Sequence, residues 1–253
     1  MDQTCIVLLL LIALAGLCPV RGVAVSTAAE LDAALQNQQI DTILLLNDIQ
    51  ILPVTTSNAS RAPPRHLSAV APPGTTINRS LHIGADPRAS HLFLDCALVQ
   101  DEPGYLLSSS VVLTLTHISL RNCSGIEELP YFAKGENVTV VLEDVIQDKG
   151  SYCAPPDSAS DSYRQQPRPA GVPGAGPATE QQLSIPAAAG TNWCEAEPGI
   201  ISPRGNPPVE YLCPFQPLLL QDVVLHMNNR PGQYGSWNLV YRNVLQVCPR
   251  AGV

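Results

Sequence analysis

The chain has 253 residues, 45% of them hydrophobic, 14% charged and 5% aromatic, with a formal net charge of −8. That supplies one sizeable core made mainly of Leu, Val and Ile. The acidic balance and the scattered cations, with lysine only at Lys134 and Lys149, exclude a basic nucleic-acid footprint.

An apolar run from Ile6 to Val20 opens the chain, with Gly16 and Pro19 near its end. It is shorter than the roughly 20 residues of a membrane span. Val20 and Gly22 suit cleavage after Gly22, while Gly22 and Ala24 suit cleavage after Ala24. Residues 1–22 therefore read as a secretory signal peptide, although Asp2 is the only charge ahead of the apolar run. No second run of spanning length follows, so a soluble, exported mature protein is expected.

Thr27-x-x-Glu30 is a capping box. Leu31, Ala34 and Leu35 share one face of a short helix ending near Asn37. A strand over Thr42 to Leu46 follows and turns at Asp48. Residues 53–74, rich in Pro, Ser and Ala, read as an exposed loop. Thr76 to Ile83 and Leu92 to Val99 read as further strand segments, with Cys96 at a turn.

The region from Val111 to Leu120 explains the turns. Leu113 and Leu115 alternate with Thr114 and Thr116, the period-2 pattern of a half-buried strand. Ile118 and Leu120 are then apolar, so the inward phase shifts by one at Thr116-His117. A shift without a long loop is a bend with a strand on each side. Asp, Asn and His are the non-glycine residues enriched at positive φ, where a short polar side chain bonds its own backbone. The same pattern stands at Leu46-Asn47-Asp48-Ile49-Gln50-Ile51, Leu142-Glu143-Asp144-Val145-Ile146-Gln147, Leu220-Gln221-Asp222-Val223-Val224-Leu225 and Tyr241-Arg242-Asn243-Val244-Leu245-Gln246. His117 and Asp144 are 27 residues apart, and Asp222 and Asn243 are 21 apart. Recurrence at such a period signals stacked repeats. The expected fold is all-β: a right-handed parallel β-helix, or solenoid, with a short N-terminal capping helix over one open end. Its structural corners are Asp48, His117, Asp144, Asp222 and Asn243. A β-sandwich would call for hairpin signals such as Asn-Gly, which are absent. A leucine-rich repeat fits the His117 and Asp222 copies but not those at Asp144 and Asn243.

Residues 154–217 hold thirteen prolines and the low-complexity run Pro167 to Pro177. Such a composition buries too little apolar surface to order itself. The organisation is therefore read as first coils over 25–150, a disordered Pro-rich insertion over 154–216 and final coils over 217–248. No second capping helix is evident after the last coil, which suggests either a partner there or a shortened product of a longer gene.

Without the signal, six cysteines remain: Cys96, Cys123, Cys153, Cys194, Cys213 and Cys248. An even number in an exported chain reads as disulfides with 15 possible connectivities, and no paired C-x-x-C spacing suggests zinc. Cys96 and Cys123 are 27 residues apart, one coil by the His117-to-Asp144 spacing, which favours their pairing. Sequons at Asn58, Asn78, Asn122 and Asn137 point to a glycoprotein.

These residues resemble the right-handed parallel β-helix proteins of the pectin-lyase-like group, in particular the exported β-helix proteins of green algae. Glu30-Leu31-x-x-Ala34-Leu35 through Ile43-Leu44-Leu45-Leu46-Asn47-Asp48-Ile49 is similar to the way such domains begin. Leu92-Phe93-Leu94-Asp95-Cys96, Leu113-x-Leu115-x-x-Ile118-x-Leu120-Arg121-Asn122 and Val141-Leu142-Glu143-Asp144-Val145 resemble their successive coils. The resemblance covers 25–150 and, less fully, 217–248. It implies the fold; the fold hosts lyases, hydrolases, adhesins and surface proteins, so it does not fix the function.

The grouped aspartates, Asp-Asp pair and Gly-His-Gly segment of the hydrolases of that group are missing. So is an arginine motif beside Asp48, Asp144 and Asp222 of the kind lyases use with calcium. His117 reads as structural, and His82, His91 and His226 lack ligand spacing. Trp193, Trp237, Tyr234 and Tyr241 form a candidate sugar-stacking group. No catalytic residue, metal or cofactor is assigned. The expected function is a non-catalytic extracellular scaffold, at the cell surface or in the matrix, binding polysaccharide or another protein. The alternatives are a polysaccharide lyase or glycoside hydrolase, and a truncated receptor ectodomain.

Overall fold

The structure, a computed structural model, describes residues 21–51, 75–86, 92–96, 104–121, 123, 129, 131–148, 156–185, 217–227 and 235–247. The loop over 53–74, the sequons Asn58 and Asn122, the cysteines Cys153, Cys194, Cys213 and Cys248, and residues 1–20 of the expected signal lie outside them.

Strand β1 (Gly22–Val25) comes first. Helix α1 (Ala28–Gln36) follows, closed by the capping box expected at Thr27 and Glu30 and burying Leu31, Ala34 and Leu35. Pairs of strands then recur: β2 (Thr42–Leu45) with β3 (Ile49–Gln50), and β5 (Leu81–Ala85) with β6 (Leu92–Asp95). β8 (Val112–Thr116) with β9 (Ile118–Arg121), and β11 (Thr139–Glu143) with β12 (Ile146–Asp148), continue the series. A shorter strand precedes three of these pairs: β4 (Thr75–Ile77), β7 (Tyr105–Leu107) and β10 (Phe132–Lys134). The chain is thus mostly strand with few helices, an all-β protein built on a large parallel sheet.

Each of these strands pairs in parallel with its counterpart one repeat away, and with β15 (Trp237–Val247) this gives the orders β1-β2-β5-β8-β11-β15 and β15-β12-β9-β6-β3 within one 12-stranded sheet. β15 spans both halves, and β10-β7-β4 forms a second, 3-stranded sheet. The register explains the aliphatic composition. Ile43, Ile83, Leu115, Leu142 and Tyr241 stack as one inward column. Leu81, Leu113, Val140 and Leu239 make another. All of these are buried, and each large aliphatic side chain contributes about 1.5–3 kcal/mol. The phase shift stands where the pattern puts it: Leu113, Leu115, Ile118 and Leu120 are all fully buried on the two sides of His117. Cys96 and Cys123 are bridged, with Cα atoms 4.9 Å apart. Cys96, however, follows β6 in register with the residues after β9, so it is not at a corner.

Two expectations at the far end are overturned. The insertion is not wholly irregular. Within it α2 (Pro156–Arg164), β13 (Gln182–Ser184) and the chain between them are ordered. Composition misleads here because this segment builds no core of its own; it packs on one already formed. Ala159, Tyr163 and Ile185 lie against the main core, while Val172 and Ala175 cover an outward valine cluster of Val141, Val224 and Val240. Gly174 has φ 77, a conformation unfavourable to other residues, and sits where a Cβ would come 2.7 Å from Val141 Cγ2. The second overturned expectation is the parallel repeat at Asp222. β14 (Leu218–Met227) runs antiparallel to β15, so the 21-residue spacing from Asp222 to Asn243 is an out-and-back path and not a repeat. β13 pairs with the other edge of β14, and the Gln181 amide bonds both N–H and C=O of Val224. An edge that would otherwise invite pairing is thereby covered. Together with α2, these strands cover the β15 end of the sheet, an arrangement that the sequence did not reveal.

The inward column of Ile49, Leu94 and Leu120 becomes polar as it nears this end, continuing as Gln147 and Gln246. Gln246 Nε2 donates to Gln147 Oε1 at 2.8 Å and to Tyr163 Oη at 3.1 Å. The Tyr163 ring meets Tyr241 edge-on at 6.2 Å.

Candidate functional site

Three of the five expected corners have the expected conformation: His117 (φ 54), Asp144 (φ 51) and Asn243 (φ 52). Parallel register places them side by side, because Thr116, Glu143 and Arg242 immediately before them are mutual partners. The Asn243 amide donates to Asp144 Oδ1 at 2.6 Å. His117 Nε2 lies 3.8 Å from Asp144 Oδ2, with each side chain 35% exposed. One residue back, Arg242 Nη1 is 3.3 Å from Glu143 Oε1. The result is a ladder of paired donors and acceptors along one exposed edge, at about the 4.8 Å spacing of neighbouring strands.

The outer face extends from this edge toward the first repeats. His82 Nε2 and Thr116 Oγ1 are 2.7 Å apart. Gly84, paired with Thr116, makes the room, since a Cβ there would collide with the threonine hydroxyl. Burial lowers the His82 pKa, Glu143 opposes the shift and His117 adds to it. Leu44 and Leu46 are the exposed large apolar residues among those described, at 37% and 51%.

The other two corners fail for separate reasons. Ile49 pairs with Leu94, which pairs with Leu120, so the first copy sits two residues out of the expected alignment. Asp48 therefore lies at the start of β3, outside the left-handed positions, and its Oδ1 accepts from Phe93 N–H at 3.0 Å. A two-residue slip preserves inward parity, and a periodic pattern does not register it. Asp222 does stand at a shift of the inward phase in β14, with Leu220 and Val223 both buried, but it lies opposite Arg242 in the antiparallel pair. Its side chain is 9% exposed and its Oδ1 is 2.7 Å from Arg168 Nη2. The Gly176 N–H and the Asp222 carbonyl complete this clamp. Asp48, Asp144 and Asp222 thus hold three separate structural contacts.

The aromatic group also dissolves. Trp237 and Tyr241 are each 1% exposed in the core, and Trp193 and Tyr234 lie outside the described residues. Among the described residues no group of three or more His, Cys, Asp or Glu side chains is arranged to hold a metal ion, and no helix is long and apolar enough to cross a membrane. Sequence reasoning missed Arg168, Gln181 and the His82–Thr116 contact, because only strand register brings such distant positions together. It also missed a second set of left-handed turns at Ser110 (φ 64) and Asn137 (φ 57); the run Ser108-Ser109-Ser110 and the Gly135-Glu136-Asn137 turn carried the signal. The asparagines of two sequons, Asn78 and Asn137, are both exposed. Set against protein-family models, curated proteins and solved structures, the chain matches none.

Proposed function

We propose that the chain is a right-handed parallel β-helix of the pectin-lyase-like type, exported as a disulfide-bonded glycoprotein, and that its corner ladder binds a neutral extracellular polysaccharide without cleaving it. Support for the coil comes from parallel pairing of each strand with its counterpart in the next repeat. Parallel crossovers within a sheet are overwhelmingly right-handed, which supports the hand. Export is supported by the leader-like run over 1–22, the sequons and the Cys96–Cys123 bridge.

The observation that carries the binding reading is the ladder of Thr116-His117, Glu143-Asp144 and Arg242-Asn243. Successive rungs alternate donors and acceptors, which suits a polymer bearing regularly spaced hydroxyls. A net charge of −8 disfavours a polyanion, so a neutral glycan fits better than a pectate or an alginate. The aspartates that a hydrolase or lyase would gather are each engaged in holding backbone or a neighbouring side chain.

The test is incubation of the mature protein with neutral glucans and galactans and with pectic and alginate-type polymers, with and without calcium. The expected result is no increase in reducing ends or unsaturated product. Sustained product formation overturns the binding reading in favour of an enzyme.

A further inference from the structure

We propose that Asn78 and Asn137 both carry N-linked glycans, and that these stand on one corner of the sheet and leave the His117–Asp144–Asn243 edge as the open face. The inference rests on the binding reading above for its second half only.

Asn78-Arg79-Ser80 lies between β4 and β5, and Asn137-Val138-Thr139 runs from the turn after β10 into β11. Since β4, β7 and β10 pair in order, as do β5, β8 and β11, the two sequons occupy equivalent turns. They are two repeats apart, roughly 10 Å at the usual inter-strand spacing. The turn between them is Ser108-Ser109-Ser110, which puts only small side chains between the two glycans. Both asparagines are exposed.

The Asn137 turn is firmly held. Asn137 N–H donates to Ser236 O at 2.7 Å and Glu136 O accepts from Ser110 N–H at 3.0 Å. Gly235 packs so close to the Glu136 backbone that a Cβ would collide with it. A glycan on Asn137 therefore projects from a fixed base. The corner ladder begins at the opposite ends of β8 and β11, each five residues long, which is about 16 Å away along the strands. Bulky solvated groups on one corner bar macromolecules from that side and not from the other.

The fold also sets the order of events. Thr139, the hydroxyl residue of the second sequon, is 1% exposed within β11. Its sequon is readable only before β11 pairs, so Asn137 is modified on the nascent chain.

The experiment uses the full chain secreted from a eukaryotic host. Peptide N-glycosidase release in ¹⁸O water, followed by mass spectrometry, marks each formerly glycosylated asparagine. Label at both Asn78 and Asn137 is expected, and an unlabelled asparagine at either turn overturns the proposal. The second half is read by mobility in native gels containing a soluble neutral β-glucan or galactan. Replacing both asparagines by Gln should leave retardation unchanged. His117→Asn should abolish it, because this change completes a sequon with Ser119 on the ladder edge while keeping a residue suited to the left-handed corner. Adding Ser119→Ala removes the sequon; this double variant lacks the His117 rung but keeps Glu143-Asp144 and Arg242-Asn243, so it should regain part of the retardation, more than the glycosylated single variant and less than the wild type, which separates a glycan block from a folding defect. Retardation that survives a glycan at position 117, or that disappears with the Asn78 and Asn137 glycans, contradicts the assignment of faces. Failure of the wild-type protein to be retarded by either polymer defeats the binding reading and the second half with it, while the mass label still decides the first.

Discussion

At a corner, one residue has to turn the chain without spoiling the strands on either side. His117, Asp144 and Asn243 do so at φ between 51 and 54, a region that costs an L-residue roughly 1–2 kcal/mol unless its side chain is short and polar. Asn243→Val should therefore lower stability by about 2 kcal/mol, while Asn243→Gly should cost less than about 1 kcal/mol, both read as urea midpoints at unchanged slope. His82 gives a second prediction at this scale. Its folded pKa lies below the usual histidine value, mainly through burial. The unfolded chain then takes up the proton first, so stability should fall as pH drops through about 6.5 and level off below the folded pKa. His82→Gln should flatten that part of the curve, and an unchanged pH dependence in the variant would refute it. The true corners were legible because a polar residue coincides with a phase shift between aliphatic alternations. Asp222 gives the same local signal, and only the direction of its neighbouring strand sets it apart.

Among the elements, the segment joining α2 to β13 departs furthest from what its composition suggests. Proline and glycine deny it a core, yet its backbone lies flat on Val141, Val224 and Val240, and Arg168 anchors it to Asp222. Removing one member of so buried a pair leaves an uncompensated charge, so Arg168→Ala should cost about 3 kcal/mol. The double variant Arg168→Met with Asp222→Leu should lose much less, and a double-mutant cycle measures the coupling. Additive losses would show that the strap is held by its apolar contacts alone. Strands with alternating Leu, Val and Thr were readable one by one. The strap was not, because the surface that orders it is assembled from strands far apart from one another in the chain, such as those of Val141 and Val240, which only register brings together.

Among the described residues the large, mainly parallel sheet carries different elements at its two ends. α1 stands at the first, against β1 and the Tyr105 hydroxyl, which donates to Asp32 O at 3.2 Å. α2, β13 and β14 close the second. Between them the Cys96–Cys123 bridge ties adjacent repeats across a 27-residue separation, and loop-closure entropy assigns it about 3–4 kcal/mol. Replacing both cysteines by Ala should lower the urea midpoint accordingly; an unchanged midpoint would mean that stacking alone sets the register there. The parallel strand pairing was foreseeable from the recurring pattern, and the bridge from its spacing. β1 was not, since Gly22–Val25 overlaps the expected signal: Gly22 pairs with Thr42 and Val25 with Leu45. The most direct test of the whole account is native electrophoresis of the secreted protein through gels containing a soluble neutral β-glucan or galactan, with wild type run beside Asp144→Ala. The account predicts that the polymer slows the wild type and that the variant, lacking the carboxylate that joins His117 to Asn243, migrates as in a polymer-free gel. Equal retardation of the two proteins, or none for the wild type, would contradict it.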